Sequence, residues 1–203
     1  MVYEPHDHMS TRSETVELVT DETARNLARA GLFAALVGAF AYVTFPNPVS
    51  PVSVTLQVLG VFLAGVYLGP VWGGVALVFY LVAGALGAPV FQGGTGGFGA
   101  LVGQTGGYLL SYPVAAALVG GVVHRGRTLR DPRTVRPVLL VAAMVLGTVV
   151  IYAAGVLGLV VVLSLTPTEA VAVGAVAFLP AEALKMAAAV GIVRSDVVSA
   201  ADR

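Results

Sequence analysis

Apolar residues run through this chain in long blocks, not in the alternation of a strand or the narrow stripe of a surface helix. Each block approaches the length of a hydrocarbon crossing, roughly 20 residues at a rise of 1.5 Å across about 30 Å. Backbone facing lipid must pair its own polar groups, so such blocks are helical. Six spans are predicted. The first is 27–45, stopped by the Pro46 to Pro51 run; the second is 54–68, stopped at Gly69-Pro70; the third is 71–88, ending before Pro89. The fourth is 106–123, and the fifth is 137–163, long enough to be tilted or broken at Gly147, Gly155 or Gly158. The sixth is 170–193. The predicted class is an all-α integral membrane protein: a six-transmembrane-helix bundle with a Gly-rich external loop between helices 3 and 4.

Composition agrees. Of 203 residues, 57% are hydrophobic and 11% charged, against about 25% charged in soluble domains. Lipid is therefore the expected solvent. Cysteine is absent, which excludes disulfides, Cys-ligated metals and thiol chemistry. The formal net charge is zero, so bulk electrostatics points to no nucleic-acid partner.

Charge position then sets orientation. Arg25 and Arg29 precede the first span; Arg125, Arg127, Arg130, Arg133 and Arg136 fill the link between the fourth and fifth; Arg194 and Arg203 follow the sixth. The opposite loops, near 46–53, 89–103 and 164–169, contain no Lys or Arg. The pattern predicts an N-in/C-in, multi-pass protein of the cell membrane with both termini cytoplasmic. Residues 1–24 read as an acidic, disordered cytoplasmic tail, 25–196 as the membrane domain and 197–203 as a short C-terminal cytoplasmic tail. The tail holds Glu4, Asp7, Glu14, Glu17, Asp21 and Glu22 against Arg12, and lacks the basic start of a signal peptide. Its His6-Asp7-His8 run has no further ligand close by and reads as tail, not as a metal site.

Four features carry candidate chemistry. Glu182 and Lys185 lie within the sixth span, three residues apart and so on one helix face. A charge at a helix centre costs about 2.5–3.5 kcal/mol on insertion scales, and opposite signs facing the bundle interior offset it. A structural ion pair and a functional polar pocket both fit this pattern. Pro180 just upstream is expected to loosen the helix. The second feature is the Gly-rich stretch, with eight glycines among the fifteen residues 93–107. Such backbone folds tightly, approaches a ligand closely and offers N–H groups to an anion, although a flexible external loop explains the composition equally. It lacks the Lys-Ser/Thr of a phosphate loop. Phe91, Gln92, Phe98, Gln104 and Tyr108 within or beside it favour a lid or pocket wall. Third, Thr55 and Gln57 open the apolar second span, suited to interhelical hydrogen bonding or to the mouth of a cavity. Fourth, Ala30, Ala34 and Gly38 recur at four-residue steps, as do Gly31, Ala35 and Ala39, which lets helices approach closely inside the bundle or against a partner.

The segments "PVSVTLQ", "LAGVYLGPVWGG", "YLVAGALGAPVFQGGTGGFGALVGQTGGYLLSYPVAA" and "FLPAEALK" together resemble the BioY family. These are the substrate-capturing (S) components of energy-coupling factor (ECF) biotin transporters, and the likeness covers about 24–194. The resemblance implies capture of biotin from outside and inward delivery with a transmembrane T component and two cytosolic ATPases. ATP is then used by the partner subunits, and this chain needs no cofactor of its own. It further implies that Glu182 accepts from the ureido N–H groups, while Lys185 donates to the ureido oxygen or holds Glu182 ionised. Gln57 and Tyr108 would line the bicyclic ring. Backbone around Gly93, Gly94 and Gly97, helped by Gln92 or Thr95, would receive the carboxylate. Ala30, Ala34 and Gly38 become candidates for the T-component interface. The family pattern carries Asp where this chain has Glu182, and some members carry a basic residue where it has Thr95. Two rivals are an S component for another vitamin and an intramembrane enzyme using Glu182 and Lys185. The enzyme lacks an accompanying nucleophile–base set or metal cluster. A purely structural scaffold would not need the buried pair.

Overall fold

The computed structural model describes residues 21–126 and 128–195. Most of the acidic tail, His6 to His8, Arg127 and everything from 196 onward, including Arg203, lie outside the described residues. The fold is mostly helical. Its elements are α1 (Asp21–Phe40), a two-stranded ribbon β1 (Thr44–Phe45) and β2 (Val54–Thr55), α2 (Gln57–Ala85), α3 (Gly99–Val102), α4 (Gly106–His124), α5 (Pro137–Leu163), α6 (Pro167–Gly174) and α7 (Leu179–Arg194). Among the described residues, four stretches are long and apolar enough to cross a membrane: Gln57–Ala85, Gly106–His124, Pro137–Leu163 and Pro167–Arg194. The outward faces are apolar too, with Val138, Val161 and Leu184 each more than two-thirds exposed. Water would not tolerate so much uncovered apolar surface, so this is a multi-pass membrane protein.

α2 doubles back on itself. Gly69 breaks the helix at φ 76°, ψ −173°, a conformation that only glycine adopts readily. Pro70 follows it with no N–H to lose. The two arms pack closely enough that a Cβ on Gly73 would lie 3.1 Å from Gly65 Cα. Gln57 and Tyr80, 23 positions apart, are hydrogen-bonded across the hairpin. The boundary read at Gly69-Pro70 is thus a tight reversal inside one nearly continuous helix.

The connections gather at two ends. At one, His124 Nε2 donates to Val66 O at 2.9 Å and its Nδ1 accepts from the Arg130 N–H at 3.0 Å. Both ring nitrogens are used, one donating and one accepting, so the imidazole is the neutral Nε2–H tautomer. Arg194 donates to Val135 O at 3.0 Å at this same end. At the other end, Tyr42 donates to Pro89 O at 2.7 Å, Gln104 to Pro51 O at 3.3 Å and Asn47 to Ala177 O at 3.4 Å.

Several expected boundaries shift. α1 is helical from Asp21, the first described residue, and stops at Phe40, not Phe45. Thr44 and Phe45 instead pair with Thr55 and Val54. α5 runs unbroken; its glycines are contact points, and a side chain on Gly155 would overlap the Tyr108 ring. The sixth span, by contrast, is broken at Ala175 (φ −132°, ψ −59°), and a short 3₁₀ turn over Val176–Phe178 leads into α7. Pro180 does not loosen a helix: it occupies the first turn of α7, where its missing N–H costs nothing. Within α1, Ala30 and Gly38 point inward. Ala30 is fully buried and Gly38 meets Val90, while Ala34 is half-buried and Gly31, Ala35 and Ala39 form the exposed stripe.

The contact between α2 and α4 depends on Gly120, where a Cβ would press on the Gly69–Pro70 backbone, Pro70 N lying 2.6 Å away. Backbone cannot rotate aside as a side chain does. Gly120→Ala is expected to destabilise the protein by about 1–3 kcal/mol, read as a lower unfolding temperature in detergent. Gly31→Ala, which meets nothing within 4 Å, is expected to leave that temperature no lower, since Ala favours the helix over Gly.

Candidate functional site: a buried ion pair beside a tyrosine-lined cavity

The break at Ala175 sets where α7 begins, and with it the depth of its first turns. Glu182 lies in the first turn, where the helix dipole favours a carboxylate. Glu182 is 1% exposed and Lys185 5%. Lys185 Nζ donates to Glu182 Oε1 at 2.6 Å, and Tyr152 of α5 donates to the same oxygen at 2.8 Å. Glu182 Oε2 is buried and, among the described residues, has no hydrogen-bond partner.

A cavity of about 40 Å³ lies beside the pair, lined by Lys185, Tyr152, Tyr108, Tyr112, Gln57 and Gln92 among others. Its walls are aromatic: Tyr108 meets Tyr152 edge-on at 5.9 Å, Tyr152 meets Phe178 at 5.7 Å, and Tyr112 stacks on Tyr80 at 6.3 Å. The β1–β2 ribbon delivers Thr55 and Gln57 to the opposite wall, where Thr55 donates to Gln57 Oε1 at 3.0 Å. Tyr108 uses its hydroxyl elsewhere, donating to Gly174 O at 2.7 Å. It therefore offers the cavity a ring face. Tyr152 also lines a larger apolar groove between α5, α6 and α7, and Glu182 reaches that groove. The carboxylate thus lies in the partition between cavity and groove, with Lys185 on the cavity side.

The Gly-rich stretch is more ordered than its composition suggests. Phe91 and Thr95 form an antiparallel bridge around a 3₁₀ turn over Gln92–Gly94. Gln92 lines the cavity, but Gly93, Gly94, Thr95 and Gly97 do not. The N–H groups of Gly93, Gly94 and Gly97 donate to Ala41 O, Phe91 O and Gly84 O at 3.1, 2.9 and 2.7 Å. Thr95 Oγ1 donates to Gln92 O at 3.1 Å. Donors expected to face an anion are spent on shaping the turn that presents Gln92. Phe91 is buried against Gly84 and Tyr80, whereas Phe98 is largely exposed.

Tyr80, Tyr112 and Tyr152 were not singled out from sequence. A usable signal exists: each lies within a span, not at a membrane interface where Tyr usually collects. A phenol at that depth needs a partner.

Residues 9–201 match the family model for the BioY family. A biotin transporter BioY from Rhizobium etli is 35% identical over 181 residues, covering 87% of this chain and 95% of the relative. One from Rhodobacter capsulatus is 39% identical over 132 residues, covering 64% of this chain and 66% of the relative. A probable biotin transporter BioY from Pyrococcus horikoshii is 40% identical over 97 residues, covering 48% of this chain. That match spans 59% of the archaeal relative's length, and a match to the Thermotoga maritima protein spans 56%. Among solved structures, the S-component for biotin from an ECF-type ABC transporter superposes with a TM-score of 0.77. Its identity is 23%, and the superposition covers 87% of this chain and 92% of that one, so the fold is shared. With the family model spanning nearly the whole chain and a full-length relative at 35% identity, this chain belongs to the BioY family.

Proposed function

We propose that this chain captures biotin from outside the cell and delivers it inward as the S component of an ECF transporter. It crosses the cell membrane six times with both termini cytoplasmic. The gathering of Gly69, the α4–α5 link and Arg194 at one end supports that topology, because described arginines then share the cytoplasmic side.

The observation that carries the reading is the unpaired Glu182 Oε2. A buried polar atom without a partner costs roughly 1–3 kcal/mol; the Tyr67 hydroxyl shares this state among the described residues, but only Glu182 Oε2 belongs to a buried ion pair beside a cavity. Tyr152 and Lys185 saturate Oε1 and fix the carboxylate, leaving one acceptor for a ligand N–H. Lys185 turns its ammonium toward the cavity with donors to spare. An acceptor beside a donor matches the N–H and C=O edge of a ureido ring. The tyrosine walls suit the apolar bicycle, and Gln92 and Thr105 at the loop side suit the carboxylate. A cavity of about 40 Å³ is far below the ~300 Å³ of a drug-sized ligand site. Binding therefore requires the cavity to widen.

The T component would dock on α1. Gly31, Ala35 and Ala39 are the exposed small residues there and replace Ala30 and Gly38 as interface candidates, with Ala34 at the edge.

Biotin binding to the purified chain tests the site. Removing one partner of a buried, hydrogen-bonded charge pair costs at least about 2 kcal/mol. Glu182→Ala and Lys185→Ala are thus expected to weaken biotin by about thirtyfold or more. Tyr152→Phe, which frees Oε1 from one donor, is expected to weaken it about tenfold. Unchanged affinity in Glu182→Ala would sink the assignment. Docking separates cleanly: Ala35→Leu is expected to abolish co-purification with the energizing module while biotin affinity stays within twofold.

A further inference from the structure

The α4–α5 link does more than connect. Arg125, Arg130 and Arg136 line a single cleft of about 600 Å³ with Thr134, over an apolar floor that includes Val138 and Ala142. Among the described residues, none of these arginines has a carboxylate within ion-pairing distance. The nearby Asp131 is held by Arg133 Nε at 3.5 Å and accepts from the Arg133 N–H at 2.9 Å. Three like charges around one cleft repel each other unless an anion joins them.

The cleft is also preformed. The Arg130 N–H is held by His124, whose other nitrogen grips Val66 O, and Arg194 holds Val135 O from α7. α5 starts at its edge, so the positive end of a 27-residue helix adds to the field.

Shape decides which anion fits. Val138 is 80% exposed, and the exposed apolar row continues through Val141, Val145 and Val149 of the same helix. From Val138 to Val149 this row descends roughly 16 Å along α5, away from the arginines and into hydrocarbon. A cationic head joined to an apolar track fits a molecule with a phosphate and an acyl chain. We propose that this cleft is a specific site for one anionic phospholipid, its phosphate among Arg125, Arg130 and Arg136 and one acyl chain along Val138 to Val149. A zwitterionic choline headgroup would bring its own cation toward the arginines. Basic pockets at the cytoplasmic ends of membrane helices bind acidic headgroups in this manner. The arginine cleft shares no residue with the vitamin cavity, so either reading stands if the other fails.

The test uses the full chain, delipidated in detergent, in native mass spectrometry with phosphatidylglycerol and phosphatidylcholine of matched chains. One phosphatidylglycerol is expected to be retained per chain at least fivefold better than phosphatidylcholine. The combined Arg125→Gln, Arg130→Gln and Arg136→Gln variant should erase that preference, while Arg133→Gln keeps it. Val138→Glu alters only an exposed position and puts a negative charge on the track. It should lower phosphatidylglycerol retention fivefold even if the triple variant misfolds. Equal retention of the two lipids, or retention unaffected by Val138→Glu, overturns the proposal. Competition by glycerol phosphate at equal concentration also overturns it, because the site would then serve a soluble anion.

Discussion

Hydrocarbon surrounds this bundle, and hydrocarbon offers no hydrogen bonds. Every polar side chain at membrane depth must therefore find its partner inside the protein. That constraint orders the interior. Thr55, Gln57 and Tyr80 satisfy one another across the α2 hairpin. Tyr108 spends its hydroxyl on the carbonyl that ends α6. Thr148 turns back onto its own helix at Met144 O. Glu182, Lys185 and Tyr152 close into one cluster that leaves a single carboxylate oxygen unmet. Among the described residues, only the buried Tyr67 hydroxyl shares that lack of a partner, and of the two atoms Glu182 Oε2 is the one that belongs to the cluster beside the cavity.

The same constraint explains the use of glycine. Without a hydrophobic force between helices in lipid, association relies on close packing and on interior hydrogen bonds. Gly120 lets α4 touch the α2 reversal, and Gly155 lets the Tyr108 ring lie flat against α5. The second contact bears on the site, because it fixes one cavity wall. Glycines of the turn after α2 serve differently: Gly93, Gly94 and Gly97 take positive φ and fold a compact loop tied back to Ala41 and to Gly84 of α2. Three backbone hydrogen bonds hold this loop with Gln92 on the cavity wall.

Polarity across the molecule is thus split by function. The loop end that lacks Lys and Arg carries Gln92 and Thr105, which line the cavity. The opposite end carries the arginines and the His124 staple, which pins the α4–α5 link to the α2 reversal. Between them, the buried pair joins α7 to α5 through Tyr152.

The chain by itself determined where the long helices lie, because lipid sets their length and demands their apolarity. α4 and α5 begin at the residues that composition marks, and the reversal falls at Gly69-Pro70. It also determined that Glu182 and Lys185 share a face, since three residues is nearly one helical turn. Direction was another matter. In lipid both faces of a helix are apolar, so periodicity cannot tell inside from outside. Only packing decided that Ala30 and Gly38 face inward while Gly31, Ala35 and Ala39 face out. Only the tertiary fold brought Tyr152, thirty residues away, onto Glu182. The glycine N–H groups were lost to the site for the same reason: their acceptors on Ala41 and Gly84 come from distant turns that sequence spacing does not reveal.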